Sequence, residues 1–293
     1  MSARSLLFVP GDSDRKIARS AGCAADVIIL DLEDSVAPEQ KAAARVRVAE
    51  YLTATRSRPV TRLWVRINPL DTPAALVDLA AVVAGRPDGI LQPKTRSPDD
   101  VIRLGHYLDA FEQQHGLEPG GIRILPVATE TPEALFTMGG FARCGPRLYG
   151  LTWGAEDLSS AIGASGNKES DGNWTQPYQL ARSLCLFGAA AAGVAAIDTL
   201  YADFRDPGGL RASCQSSSRD GFTGRIAIHP DQVDTINECF SPSAAEIEHA
   251  RRVIALFAQN PGVAALALDG KMVDIPHLRQ AEKVLARLGR AQG

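Results

Sequence analysis

Short apolar runs alternate with longer amphipathic stretches along most of the chain. The runs are SLLFV (5–9), DVIILDL (26–32), TRLWVRI (61–67), GILQP (89–93), IRILPVA (122–128), LYGLTW (148–153), AAIDTLY (195–201) and GRIAIH (224–229). Most are rich in Leu, Ile or Val without strict alternation, as expected of parallel strands buried on both faces. Between and after them the pattern predicts helices near 13–23, 39–57, 73–85, 97–115, 132–143, 177–193, 207–220 and 230–240. Eight strands alternating with eight helices indicate an α/β protein, and a closed (β/α)₈ TIM barrel more than an open doubly wound sheet.

The rhythm changes after residue 240. Ser243 stands three residues before Glu246, a capping box that opens a long helix over 241–260. VAALALDGKMVD (263–274) and a last helix near 276–289, with Pro276 at its start, complete the chain. No low-complexity linker precedes this segment. The expected division is a catalytic barrel over 1–240 and a packed C-terminal helical extension over 241–293 that carries the LDGKM motif.

Bulk properties narrow the function classes. A chain of 293 residues suits one barrel of the usual ~250 residues plus an extension. Thirty-one basic and 34 acidic residues leave a net charge of -3 without a basic tail, so nucleic acid is a poor partner. The five cysteines lie far apart, as free thiols in a reducing cytoplasm would. The apolar stretch at 5–10 is too short for a signal peptide. The Ala-rich stretch 184–197 falls short of the ~20 residues of a membrane span.

Chemistry in such a barrel sits just past the C-terminal ends of its strands. There the chain places Asp31, Glu33, Asp34, Arg66, Asn68, Lys94, Glu130, Glu156, Asp157, Asp203 and His229. Carboxylates converging from different strands repel one another unless a cation lies among them. Oxygen donors without Cys or paired His point to Mg²⁺, with Mn²⁺ as the substitute, rather than zinc. Glu130 and Asp157 follow neighbouring strands and are candidate metal ligands. Arg66 can grip a carboxylate through two parallel hydrogen bonds, or close a salt bridge to Glu33 or Asp31; the two roles are compatible. Glu33 would hold Arg66 or a metal-bound water.

Several blocks in register resemble a known family. SLLFVPG (5–11), VIILDLEDSVAPEQKAAAR (27–45), VRINPLDT (65–72), ATETPEAL (128–135) and GAEDLSSAIG (154–163) look like citrate lyase β-subunit-like proteins of the HpcH/HpaI aldolase group. So do AIDTLYADFRDPGGL (196–210), GFTGRIAIHPDQV (221–233) and ALDGKMVD (267–274), and the likeness runs from residue 5 to about residue 275. It implies a Mg²⁺-dependent lyase that cleaves a β-hydroxyacyl-CoA such as malyl-CoA or citramalyl-CoA to acetyl-CoA and a 2-oxo acid. It further implies metal ligation by Glu130 and Asp157, and substrate binding by Arg66. Asp269 would be a catalytic acid/base delivered by a neighbouring subunit of a homotrimer or hexamer. Ile228, His229 and Pro230 match the segment that contacts coenzyme A, where His229 reads as a positioning group rather than a ligand or base.

One departure lies in PGDSDRK, where many relatives carry Asn and a later Arg; Arg15 and Lys16 remain candidates for the coenzyme A phosphates. The Gly/Asn/Ser-rich stretch 165–177 follows strand six, where a lid tuning substrate choice would sit. Two other readings are a β-subunit of a multi-subunit citrate lyase acting on a carrier-protein thioester, and a metal-dependent aldolase on free oxo acids.

Overall fold

The computed structural model describes residues 3–55 and 61–288, so the ends of the helices expected over 39–57 and 276–289 fall outside the described residues. The chain forms two compact units, one spanning Ser2–Asn237 and one beginning at Glu238.

The first unit runs β1 (Ser5–Pro10), α1 (Asp14–Ser20), β2 (Val27–Asp31), α2 (Lys41–Ala54), β3 (Arg62–Arg66), α3 (Pro73–Val82), β4 (Gly89–Gln92) and α4 (Pro98–Gln114). It continues with β5 (Arg123–Pro126), α5 (Pro132–Leu135), β6 (Gly150–Thr152), α6 (Glu156–Ala161), α7 (Gln176–Ala192), β7 (Ala195–Asp198), α8 (Pro207–Asp220), β8 (Gly224–Ala227) and α9 (Val233–Cys239). The eight strands lie in the order β5-β4-β3-β2-β1-β8-β7-β6, every neighbouring pair parallel. Parallel bridges from Ile124 to Leu148 and from Val127 to Thr152 join β5 to the β6 side. Backbone bonds of 2.8 Å from Tyr149 N to Ile124 O and from Ala128 N to Thr152 O close the ring. All eight expected strands are present, and the barrel is the TIM barrel that the pattern predicts.

Inward-pointing side chains fill the barrel as one cluster that includes Leu6, Val27, Ile29, Trp64, Leu91, Val127, Tyr149, Ile197 and Ile226. Trp64 lies where β4 offers no side chain: a Cβ on Gly89 would stand 2.6 Å from the indole. The helices start where the sequence says they should. Proline occupies the first turn of α3, α4, α5, α7 and α8, where a missing N–H does no harm.

Two departures have local causes. The helix expected over 132–143 is one α-turn, α5, followed by a 3₁₀ stretch, Met138–Cys144, which contains the Gly139–Gly140 pair. After β6 a polar six-residue helix, α6, occupies part of what reads as loop; EDLSSA is too short to show periodicity.

The second unit packs α10 (Ala244–Gln259), a hairpin of β9 (Ala265–Leu268) and β10 (Lys271–Asp274), and α11 (Ile275–Leu288) around Ala250, Val253, Phe257, Val273 and Ala281. Ser243 and Glu246 form the expected capping box. The hairpin turns on Asp269 and Gly270, with φ of 53° and 75°. Two adjacent residues at positive φ fit the twist of a two-residue hairpin loop. Among the described residues no helix is long and apolar enough to cross a membrane, and the five cysteines are free.

Candidate active site

Asp31 and Arg66 are Cα partners at the ends of β2 and β3, so both side chains meet at the barrel mouth. Arg66 Nε and Nη2 donate to the two oxygens of Asp31, each at 2.6 Å. Asp31 also accepts the backbone N–H groups of Glu33 (2.9 Å) and Ser35 (3.2 Å), which fold the loop after β2 back over the strand end. Burial pushes the Asp31 carboxyl up, but the Arg66 hydrogen bonds and charge outweigh it and hold the group below the usual range. Glu33, buried beside them, places Oε2 2.9 Å from Arg66 Nη1 without the alignment of a hydrogen bond. The Phe8 ring lies 4.6 Å from the guanidinium. Of the five N–H donors of an arginine, two stay unengaged by these partners. The salt bridge is therefore real, and it orients Arg66 rather than consuming it.

Lys94, which follows β4, joins the rest of the mouth together. Its backbone is left-handed, with φ +48°, uncommon for a residue with a Cβ. In that conformation its N–H donates to Glu130 Oε2 (2.6 Å) while its ammonium reaches Glu33 (2.5 Å), Asp34 (3.2 Å) and Asp157 (3.3 Å). Glu130 follows β5 and Asp157 stands in the first turn of α6, so one residue touches both expected metal ligands, Glu130 with its backbone N–H and Asp157 with its ammonium. Burial first, then the charges of Asp157 and Glu33, push the Glu130 carboxyl up to about 8 against the Lys94 N–H and ammonium. Burial likewise raises Glu33, against Arg66 and Lys94. Gly154 makes room for this carboxylate: a Cβ there would lie 3.0 Å from Glu130 Cγ and Oε1.

Buried carboxylates with too little positive charge among them suit a hard divalent cation. Among the described residues no three His, Cys, Asp or Glu side chains are grouped as a metal set. Two carboxylates, with the remaining positions left to water and substrate, is the pattern Mg²⁺ commonly takes. Lys94 is the residue that strand-end reading found without a role; its position directly after a strand was the signal.

Beside Arg66 and Glu130 a cavity of about 70 Å³ opens into the top of the barrel core. Phe8, Leu91, Val127 and Ile226 give it apolar walls, with Thr152, Trp153, Thr199 and Leu200 above them. The Trp153 indole N–H is tied to Asp198 Oδ1 at 2.6 Å. Trp174, from the 165–177 stretch, meets Trp153 edge-on with centroids 5.1 Å apart. Lys168 lies 3.8 Å over the Trp174 ring and Asn167 donates to Glu156, so this stretch is folded at the mouth.

A second cavity, about 440 Å³, lies between α1 and the end of β8. It brings Arg15 and Lys16 together with Ile228, His229 and Pro230, and adds Arg19. Arg19 falls three and four residues after its two basic neighbours, on the same helix face, a spacing that was open to sequence reading. His229 caps the 3₁₀ turn Pro230–Gln232 by accepting the Asp231 N–H at Nδ1 (3.3 Å), and stacks on Phe204 at 4.7 Å. Those contacts fix the imidazole at the edge of the cleft.

Asp269 belongs to the C-terminal unit. There it bonds Arg252 Nη2 at 2.6 Å, and that hydrogen bond holds its exposed carboxyl below the usual range.

The model of the HpcH/HpaI aldolase/citrate lyase family matches residues 4–230, and that of the C-C bond lyases of the TIM-barrel fold matches residues 184–290. The citrate lyase subunit beta of Haemophilus influenzae is 33% identical over 286 residues, covering 97% of this chain and 96% of its own. The (3S)-malyl-CoA thioesterase of Cereibacter sphaeroides is 35% identical over 289 residues, covering 97% and 94%. Among solved structures, the protein CitE of Mycobacterium tuberculosis in complex with magnesium, acetoacetate and coenzyme A has a TM-score of 0.78 at 32% identity, covering 98% of each chain.

Proposed function

The chain is a carbon–carbon bond lyase belonging to the HpcH/HpaI aldolase/citrate lyase family, and on that premise we propose that it cleaves a short β-hydroxyacyl-CoA, of the malyl-CoA or citramalyl-CoA type, to acetyl-CoA and a 2-oxo acid. The observation that carries this reading is the adjacency of two unlike cavities. The cavity beside Arg66 and Glu130 and the basic cleft of α1 share Phe8 as a common wall. One suits a hydroxy acid, the other a phosphate-bearing carrier, and a CoA thioester of a hydroxy acid has both parts. A free oxo acid would leave the cleft with Arg15, Lys16 and Arg19 without a use.

In this reading Glu130 and Asp157 hold Mg²⁺, which supplies Lewis-acid polarisation of the substrate oxygens when bound. Arg66, kept charged and oriented by Asp31 and Glu33, presents its two unengaged N–H donors to the carboxylate of the acid. The reaction breaks the bond between the hydroxyl-bearing carbon and the carbon next to the thioester. The hydroxyl proton passes through solvent to the Asp269 carboxylate, the electron pair of the breaking bond enters the thioester as an enolate, and Asp269 returns the proton to the enolate carbon. In the reverse direction Asp269 removes that proton, and pairing with Arg252 keeps it in the ionised form this needs. Arg15, Lys16 and the Ile228–Pro230 segment would seat coenzyme A. Asp269 acting from a neighbouring subunit requires a homo-oligomer, a trimer or hexamer, and the free thiols suit a cytoplasmic protein.

The test is a coupled assay of purified protein with citramalyl-CoA and malyl-CoA, with and without Mg²⁺, following pyruvate or glyoxylate. Mg²⁺-dependent release from one ester is expected. Silence with both, in a protein that binds Mg²⁺, would transfer the reading to a β-subunit of a multi-subunit citrate lyase acting on a carrier-protein thioester; the Haemophilus relative is named a citrate lyase subunit beta.

A further inference from the structure

The loops after β2, β4 and β5 and the first turn of α6 gather more negative charge than they answer. Asp31 gives both of its oxygens to Arg66. Lys41 lies beside the same loop, but its ammonium is engaged by the Leu32 and Glu33 carbonyls and by Asn68 Oδ1, at 3.1, 3.0 and 2.5 Å. Glu33 has Arg66 Nη1 nearby, yet its Oε2 is buried without a hydrogen-bond partner. The ammonium that Glu33, Asp34 and Asp157 share is that of Lys94. Burial works against its charge, but the Glu33 hydrogen bond and the charges of Glu33, Asp157 and Asp34 outweigh it, so the group stays protonated. The residue also holds a left-handed backbone, φ +48°, a strain that persists only where the surroundings demand it.

We infer that Lys94 is a built-in rival of the divalent cation: its ammonium competes with Mg²⁺ for Asp157 and so sets how tightly the metal is held. The inference rests on the reading of Glu130 and Asp157 as metal ligands and adds a residue that works against them. Lys94 acts on the two ligands in opposite senses. Its N–H, 2.6 Å from Glu130 Oε2, orients that carboxylate. Its ammonium, 3.3 Å from Asp157 Oδ1, supplies there the positive charge that a metal would bring. Two cations on one carboxylate repel, so each weakens the hold of the other. Glu33, nearest at 2.5 Å, retains the ammonium when a doubly charged ion takes Asp157. One side chain thus stabilises the metal-free protein and loosens its grip on the metal.

The experiment is a titration of Mn²⁺ into the wild type, Lys94→Met, Lys94→Gly and Lys94→Arg, with free Mn²⁺ read by electron paramagnetic resonance. Lys94→Met removes the charge and keeps the stem. Lys94→Gly keeps the N–H that orients Glu130 and takes the left-handed backbone without strain, which guards against a folding defect. Both are expected to bind Mn²⁺ at least about tenfold more tightly than the wild type. Lys94→Arg, which restores the charge, should bind it like the wild type. Thermal melts should show the other half: Lys94→Met melts below the wild type without metal, and saturating Mg²⁺ raises it further than it raises the wild type. A lysine that merely held the site together would weaken Mn²⁺ binding when removed. Wild-type uptake of Mn²⁺ with no gain in Lys94→Met and Lys94→Gly overturns this inference alone. Wild type and variants that all ignore Mn²⁺ end the metal reading, and this inference with it. The titration needs no CoA ester, so tighter binding by the variants of a protein silent in the lyase assay fails the lyase reading alone.

Discussion

Glu130 is a carboxylate placed where its own fold disfavours it, and that sets up a trade between stability and binding. Its charge is buried among those of Asp157 and Glu33, with Lys94 as the nearby counterweight. Glu130→Gln should therefore raise the melting temperature of the metal-free protein by a few degrees, since ~1–2 kcal/mol corresponds to ~2–4 °C per kcal/mol in a chain of this size. It should also erase the rise that Mg²⁺ produces in the wild type. Thermal melts with and without Mg²⁺ decide it: a variant still stabilised by Mg²⁺ would remove Glu130 from the ligand set. Asp269→Asn should do the converse, keeping the Mg²⁺ shift and losing turnover in the citramalyl-CoA assay; unchanged turnover would end its role as acid/base. The charged members of this site were legible in the sequence because ionisable residues at strand ends are conspicuous. The reach of Lys94 was not. Its left-handed backbone, which sends the N–H to Glu130 and the ammonium to Asp157, follows from packing, and packing is what a one-dimensional pattern omits.

Elements were readable to the degree that burial shapes composition. β2 is buried at every position and reads as VIILD, whereas β9, with alternate residues exposed, reads as the Ala-rich ALAL and passes for helix or loop. The Asp269–Gly270 dipeptide between them and β10 was the available hairpin signal, overshadowed by its resemblance to a catalytic motif. What sequence could not show is how the far side of the barrel is fastened. Asp198, ending β7, accepts from Trp153 Nε1 and Arg225 Nη2, bonds Ser217 Oγ, and has Arg182 Nη2 at 3.5 Å. One carboxylate thus ties β6, β7, β8, α7 and α8, and fixes the tryptophan that walls the cavity. Burial pushes its carboxyl up, but the charges of Arg225 and Arg182 prevail and hold it below the usual range. Asp198→Asn leaves those guanidinium groups without their countercharge and should cost about 3–5 kcal/mol. The gap between wild type and variant, measured as urea midpoints, should be full above the unfolded Asp pKa near ~3.9 and close as pH falls through the depressed folded value. A gap that stays constant down to pH ~2 would mean that the charge of Asp198 is not what fastens the elements.

At the scale of the whole molecule, the proposed mechanism divides the chemistry between the two compact units. Arg66, Glu130, Asp157 and the cleft of α1 belong to the barrel, and Asp269 to the C-terminal unit on its own hairpin. A proton donor carried on a separate unit can serve a barrel other than its own, and a closed ring of identical subunits then completes every site with one residue from a neighbour. That arrangement makes a prediction no single variant can test. Arg66→Ala subunits lose the substrate grip and keep Asp269; Asp269→Asn subunits do the reverse. Each alone should be inactive. Co-expressed in equal amounts and assembled at random, half the barrels retain Arg66 and half of their neighbours supply Asp269, so about a quarter of wild-type activity should return. If Asp269 served its own barrel, each subunit would carry one lesion at its own site and the mixture would stay silent. Activity of the co-purified hybrid, compared with the two parents mixed without exchange, therefore reads the geometry of assembly directly from turnover.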